Sequence, residues 1–259
     1  MSVIGTNVSA MFAQAALTTN QRNLERASNQ ISTGKRIYTA AVDAAGVAIS
    51  NKLISQVKGN QKAVQNLNDA ISFMQTAEGA LNEIANMAQR MRELQVQAQN
   101  GTWSATQTAS ISAEMTSLST GITAVIAAST WNGLSLLSAS AATTLNSTVN
   151  QDGTTAAFSI TSIGTTPTST STVANLDTYI AAVGTARADA GANINRMAYL
   201  VDNLSNAAAN LAQSNSRVQD TDYAKASADL AKAQIINQAA TAMLAQANQQ
   251  PQTVLSLLK

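Results

Sequence analysis

Side chains that could do chemistry are scarce in this 259-residue chain, which contains no histidine and no cysteine. Imidazole catalysis, thiolate chemistry, disulfides and the usual zinc ligands are excluded at once. Glu114 and Asp152 are the only carboxylates between Glu93 and Asp177. A paired-carboxylate hydrolase needs two converging acids in a cleft, and a rod of helices offers none. Asp220 and Asp222 flank the start of a helical pattern, where capping is a better reading than calcium ligation. The eight methionines fall mostly on helix seam positions, where packing accounts for them without a cofactor. The expectation is a chain with no catalytic, cofactor or metal site, and hence not an enzyme. What remains is surface: the segment QRMRELQVQ (Gln89–Gln97) reads as a solvated helix face through Arg90, Arg92 and Glu93, with Leu94 on the seam side.

Only 3% of residues are aromatic and 11% charged, while 45% are hydrophobic, much of that alanine. Such material suits close helix packing better than a bulky core. The net charge is +1 and the basic residues are scattered, which argues against a nucleic-acid surface. Lack of cysteine fits a reducing compartment, or equally an exported chain that leaves the cell unstapled. No Lys or Arg precedes Arg22 and no long apolar run opens the chain, so no secretory signal peptide is expected. No run of about 18 apolar residues occurs, so no membrane span is expected either.

The elements are helical throughout most of the length. From about Gly46 to Asn100 apolar positions recur in threes and fours: Leu53, Val57, Val64, Leu67, Ile71, Met74, Leu81, Ile84, Met87, Met91, Leu94 and Ala98. A single helix there would be roughly 80 Å long and would need other rods beside it. Residues 1–33 read as an amphipathic helix carrying Val8, Met11, Phe12, Ala15, Leu24, Ala27 and Ile31. Gly34 stops it, and Asp43 can cap the next. A third helix spans about Ala105–Ser129, and Trp131-Asn132-Gly133 breaks it. Residues 138–172 are Ser/Thr-rich, with β-prone Leu145–Val149 and Ala156–Ile163 flanking Asp152-Gly153, a hairpin signal. The fourth helix, about Val173–Val218, keeps a four-three rhythm in which Arg187 and Asn215 fill two slots. A fifth, about Asp222–Gln249, is expected to kink or restart at Pro251. The order is palindromic, so the expected fold is mainly α. It is an elongated antiparallel bundle or coiled coil of long helices with a short β-hairpin-like tip and paired terminal helices. Its expected domains are 1–45 with 220–259, then 46–137 with 173–219, and the variable piece 138–172.

Residues 1–21 and 233–258 carry no charged side chain. Exposed helices of a monomer are usually dressed with charge. The apolar side chains of the two terminal helices (Val8, Met11, Phe12, Leu24, Ile31, Leu230, Ile236, Met243, Leu244, Leu255 and Leu258) form the candidate polymerisation seam. Their bulk is small against the ordering cost of some 80 residues, about 1–2 kcal/mol each. Both ends are therefore expected to lack structure in a free monomer and to fold when copies bury one another. A head-to-tail contact that does not close gives a helical filament.

With these features in hand, the sequence resembles bacterial flagellin. The carrying residues are Ile31–Ile37 (ISTGKRI), Asp43-Ala44-Ala45-Gly46, Ala48-Ile49, TAEGALNEI (Thr76–Ile84), QRMRELQVQ, WNGLSLL (Trp131–Leu137), RVQDTDYA (Arg217–Ala224) and KAQIINQAATAMLAQANQQPQTVLSLLK to the end. Val42 stands where that family usually has a second acidic residue, and the middle is much shorter than in many relatives. The resemblance implies terminal helices lining an inner tube and long rods forming the next shell. It implies export unfolded through the flagellar type III apparatus, a chaperone for the C-terminal segment, and contacts with cap and hook-junction proteins. The protein would be secreted and extracellular. It also implies recognition by Toll-like receptor 5 through Gln89, Arg90, Glu93 and Leu94, with Glu114 a neighbouring candidate. The alternatives are a hook–filament junction protein and, in another class, a coiled-coil adhesin or signalling shaft.

Overall fold

A computed structural model describes residues 6–139 and 141–256, with the side chains of 250–256 left out. The chain runs through helix α1 (Val8–Thr33), α2 (Ala44–Ala98) and α3 (Ala105–Ala128). Strands β1 (Thr130–Trp131), β2 (Leu134–Ser135), β3 (Thr143–Thr148) and β4 (Thr155–Ile160) follow, then α4 (Val173–Gln219) and α5 (Tyr223–Ser256). Contacts divide it into one unit of residues 1–55 with 211–259 and a second of residues 56–210.

In the 56–210 unit the helical period does what the sequence demands. Leu67, Met74, Leu81, Ile84, Met91 and Leu94 of α2 are fully buried, against Met115 and Ile122 of α3 and Leu176, Val183 and Met197 of α4. Arg92 pairs with Asp177 and Arg187 with Glu78, so α2 and α4 run antiparallel. One slot differs from expectation. Ala186 lies in the core, and Arg187 points to the flank, its Nη2 reaching Glu78 Oε1 at 3.0 Å. Burying alanine there leaves the guanidinium half-buried at the edge, its Nη2 paired with Glu78 and its Nε buried without a partner. Helix α3 is long and apolar enough to cross a membrane by length and composition. That apolarity is mostly alanine and isoleucine, and Ile111, Met115 and Ile122 are packed in this core.

Strands β3 and β4 form the antiparallel hairpin, with Leu145 opposite Phe158. The hairpin lies along the helices instead of past the α2–α3 turn. Asn66 of α2 donates to Thr148 at 2.6 Å and Asn193 of α4 to the Ser159 carbonyl at 2.8 Å. Arg196 sits 5.0 Å over the Phe158 ring. A second, smaller hairpin pairs Trp131 with Leu134 across Asn132-Gly133, where only a break was expected.

Candidate functional site

The 1–55 with 211–259 unit is built on helices α1 and α5, which pair antiparallel. Asn7 donates to the Ala247 carbonyl at 2.8 Å, Asn20 to the Ala233 carbonyl at 2.7 Å, and Tyr223 to the Ile31 carbonyl at 3.1 Å. The seam uses small residues at seven-residue spacing. On α5 it is Ala226, Ala233, Ala240 and Ala247, and on α1 Ala13, Asn20 and Ala27, with Gly34 just beyond. Small side chains at a heptad repeat let the backbones approach closely enough for a short amide to cross. Residues 8–33 and 223–256 are helical, and α1 and α5 pair along this seam.

The corollary is that the large apolar residues face away. Met11 is 64% exposed, Phe12 73%, Ile235 67% and Met243 64%; Val8 and Ile236 are exposed too. Leu24, Ile31, Leu230 and Leu244 are half-buried. The Leu255 side chain and Leu258 lie outside the described residues. Helix α5 also passes through Pro251 without a break. Proline lacks the N–H that would bond the Ala247 carbonyl four residues back. Asn7 supplies that donor instead, while its own Oδ1 caps α1 at Ala10 N.

The family-like segments around Gly34 and Asp220 turn out to be one connector. Gly34 ends α1 with φ 68°, the left-handed turn that suits glycine. The backbones of Lys35 and Asp220 pair as an isolated antiparallel β-bridge, Arg36 N donates to Gln219 O at 2.7 Å, and Thr221 N donates to Gly34 O at 3.0 Å. Asp43 alone caps α2 through Gly46 N at 2.8 Å, so Val42 costs the cap nothing. A Cβ on Gly46 would collide with Ile37 and Asp43. Asp222 caps α5, its Oδ1 accepting from Ala224 N at 2.9 Å. Beside the connector, buried Ser50 donates to Asn215 Oδ1 at 2.7 Å.

On the other unit Gln89, Arg90, Glu93 and Glu114 share an exposed face of α2 and α3, whereas Leu94 is buried beneath it. Arg90 Nη2 lies 2.9 Å from Glu114 Oε1 and Nη1 3.2 Å from Glu93 Oε2. These bonds, first to Glu114 and then to Glu93, raise the guanidinium pKa above its ordinary value. Sequence spacing alone gives the i,i+3 pair with Glu93; the Glu114 contact needs α3 to fold back.

Helices that pair through alanine and leave phenylalanine and methionine outward define a structural protein, made to be one part of something larger. Residues 4–142 match the family model for the bacterial flagellin N-terminal helical region, and 173–258 the one for the C-terminal helical region. The chain belongs to the bacterial flagellin family. It is similar to the flagellar filament 33 kDa core protein of Treponema phagedenis, 36% identical over 285 residues, covering 99% of this chain and 100% of that one. It is also similar to the flagellin of Bacillus subtilis strain 168, 34% identical over 302 residues, covering 99% of each. The crystal structure of Bacillus cereus flagellin aligns with TM-score 0.47 and 27% identity, over 54% of this chain and 88% of that one. The protein is thus a structural subunit of the flagellar filament, which self-polymerises and lies outside the cell, and it lacks the large outer domain.

Proposed function

We propose that the outward apolar side chains of α1 and α5 are the polymerisation contact, with Val8, Met11, Phe12, Ile236 and Met243 buried by neighbouring copies. The half-buried Leu24, Ile31, Leu230 and Leu244 support that surface, and Leu255 and Leu258 are assigned to the same contact from the sequence alone. On this reading residues 1–45 with 220–259 form the inner core, 46–137 with 173–219 the load-bearing rod, and 138–172 a short variable segment. The chain does its work by bearing load, without catalysis. The observation that carries the reading is that Phe12, fully able to pack, is nearly three-quarters exposed beside an alanine seam. Burying one such ring contributes about 2 kcal/mol, roughly a thirtyfold change in critical concentration. Phe12→Asp and Met243→Asp should therefore abolish salt-induced filament growth seen by electron microscopy. Normal filaments from the double variant would overturn the contact.

Export through the flagellar type III apparatus, a chaperone for the α5 segment, and cap and hook-junction partners belong to the same reading, as does secretion. We further infer that Gln89, Arg90, Glu93 and Glu114 form the face read by Toll-like receptor 5, with Leu94 supporting it from the core. In its favour, Arg90 is held upright by two carboxylates and stays charged. Arg90→Ala monomer should lose receptor signalling with its helix content intact; silence of the unaltered monomer ends the idea.

A further inference from the structure

We propose that Asn100 is a self-deamidating site whose reaction is promoted by Thr102. Two Asn-Gly pairs occur at turns of the 56–210 unit, Asn100-Gly101 and Asn132-Gly133. The structure treats them oppositely. Asn132 and Gly133 both have positive φ, 47° and 80°, in a two-residue hairpin loop. That is the turn for which Asn-Gly is the preferred pair, so turn geometry explains the dipeptide.

Asn100 has no such conformation, and a Cβ at Gly101 would meet nothing within 4 Å. Neither strain nor packing requires glycine there. What glycine does supply is an unhindered backbone nitrogen. The Asn100 side chain reaches forward to the residue beyond that glycine: its Oδ1 accepts from Thr102 N at 3.1 Å and from Thr102 Oγ1 at 2.9 Å. The whole turn, residues 99–104, is exposed.

The Gly101 nitrogen loses its proton to solvent hydroxide and its electron pair attacks Asn100 Cγ, forming a C–N bond. The Cγ=Oδ1 electrons move onto Oδ1, where two donors aimed at one oxygen act as an oxyanion hole. The oxyanion collapses, the Cγ–Nδ2 bond breaks, and Nδ2 takes a proton from water and leaves as ammonia. Water then opens the succinimide at either carbonyl, leaving aspartate or isoaspartate at position 100. The product adds a negative charge just past the C-terminal end of α2, where the helix dipole disfavours it. In a filament outside the cell the modified fraction then rises with the age of the subunit.

The test is peptide mapping by mass spectrometry of the intact, folded chain aged at mildly alkaline pH, with enzymatic isoaspartate detection. Conversion at position 100 should outrun that at position 132, and in denaturant the two should become similar. Thr102→Val keeps the backbone donor and removes the hydroxyl, and it should slow conversion at position 100 about tenfold. Thr102→Ser should restore it, and position 132 should be unaffected by both. If the hydroxyl merely anchored the side chain, Thr102→Val would speed conversion. Faster or unchanged conversion at position 100 in that variant, or faster conversion at position 132 in the folded chain, overturns the proposal.

Discussion

The two units solve helix packing in opposite ways. In residues 56–210, leucine, isoleucine and methionine point inward and the charged side chains of Arg90, Arg92 and Glu93 stand in solvent. In residues 1–55 with 211–259, alanine points inward and Met11, Phe12 and Met243 stand in solvent. A buried alanine methyl contributes about 0.8 kcal/mol, against roughly 1.5–3 for a leucine or methionine. The first arrangement holds itself together. The second holds its helices in place through small side chains and leaves its larger hydrophobic ones exposed.

The largest effect that separates the two should come from paired truncations. Leu81→Ala empties a fully buried site in the α2–α4 core and should cost about 2–5 kcal/mol. Phe12→Ala removes more atoms from an exposed position and should change monomer stability by no more than about 0.5 kcal/mol. Urea unfolding of the full-length chain reads both. Equal losses would erase the distinction drawn above.

A second contrast is the alkaline limit. Tyr179 belongs to the 56–210 core, where its hydroxyl has no partner and burial pushes its pKa up to about 12. The unfolded chain ionises near 10, so between those values the unfolded state has lost a proton that the folded state keeps. Tyrosine's contribution is therefore fully present below about pH 10 and falls as pH rises toward 12, by up to about 3 kcal/mol. Tyr179→Phe deletes the group and the orphaned hydroxyl together. It should flatten that alkaline loss, as read by circular dichroism melts across pH, and raise stability at neutrality by about 1 kcal/mol because the orphaned hydroxyl is gone. An alkaline loss undiminished in the variant would assign it to other groups.

How much of this was legible follows from side-chain size. The α2 and α4 stripes could be read because large apolar residues recur in threes and fours and the core takes those same residues. In α1 the same reading picked Val8, Met11 and Phe12, which are the residues that face out. The true seam was visible as Ala226, Ala233, Ala240 and Ala247 every seven residues, a signal that apolarity scales blur because alanine is common everywhere. The β1–β2 hairpin also had its marker in Asn132-Gly133, passed over because its strands are only two residues long. Asn7 answering the carbonyl freed by Pro251, and Glu114 meeting Arg90, join residues remote in sequence, and no local pattern announces them.

The smallest effect tests whether alanine contact alone orders the terminal pair. Asn20 is buried at 6% exposure, and its amide crosses to the Ala233 carbonyl. That carbonyl lies inside α5, with a helical N–H four residues on, so Asn20 adds a bond without rescuing an orphan. Its removal by Asn20→Ala should then cost only about 1 kcal/mol, the net value of one hydrogen bond. Because the seam itself is thin, even that loss should be visible locally. Amide exchange should quicken along α1 and α5 together, while Leu81 and its neighbours in α2 keep their protection. If α1 and α5 exchange as before, the small-residue seam is sufficient and the asparagine only sets its register. If protection in α2 falls as well, the two units do not open separately and the contrast between them is one of composition, not of stability.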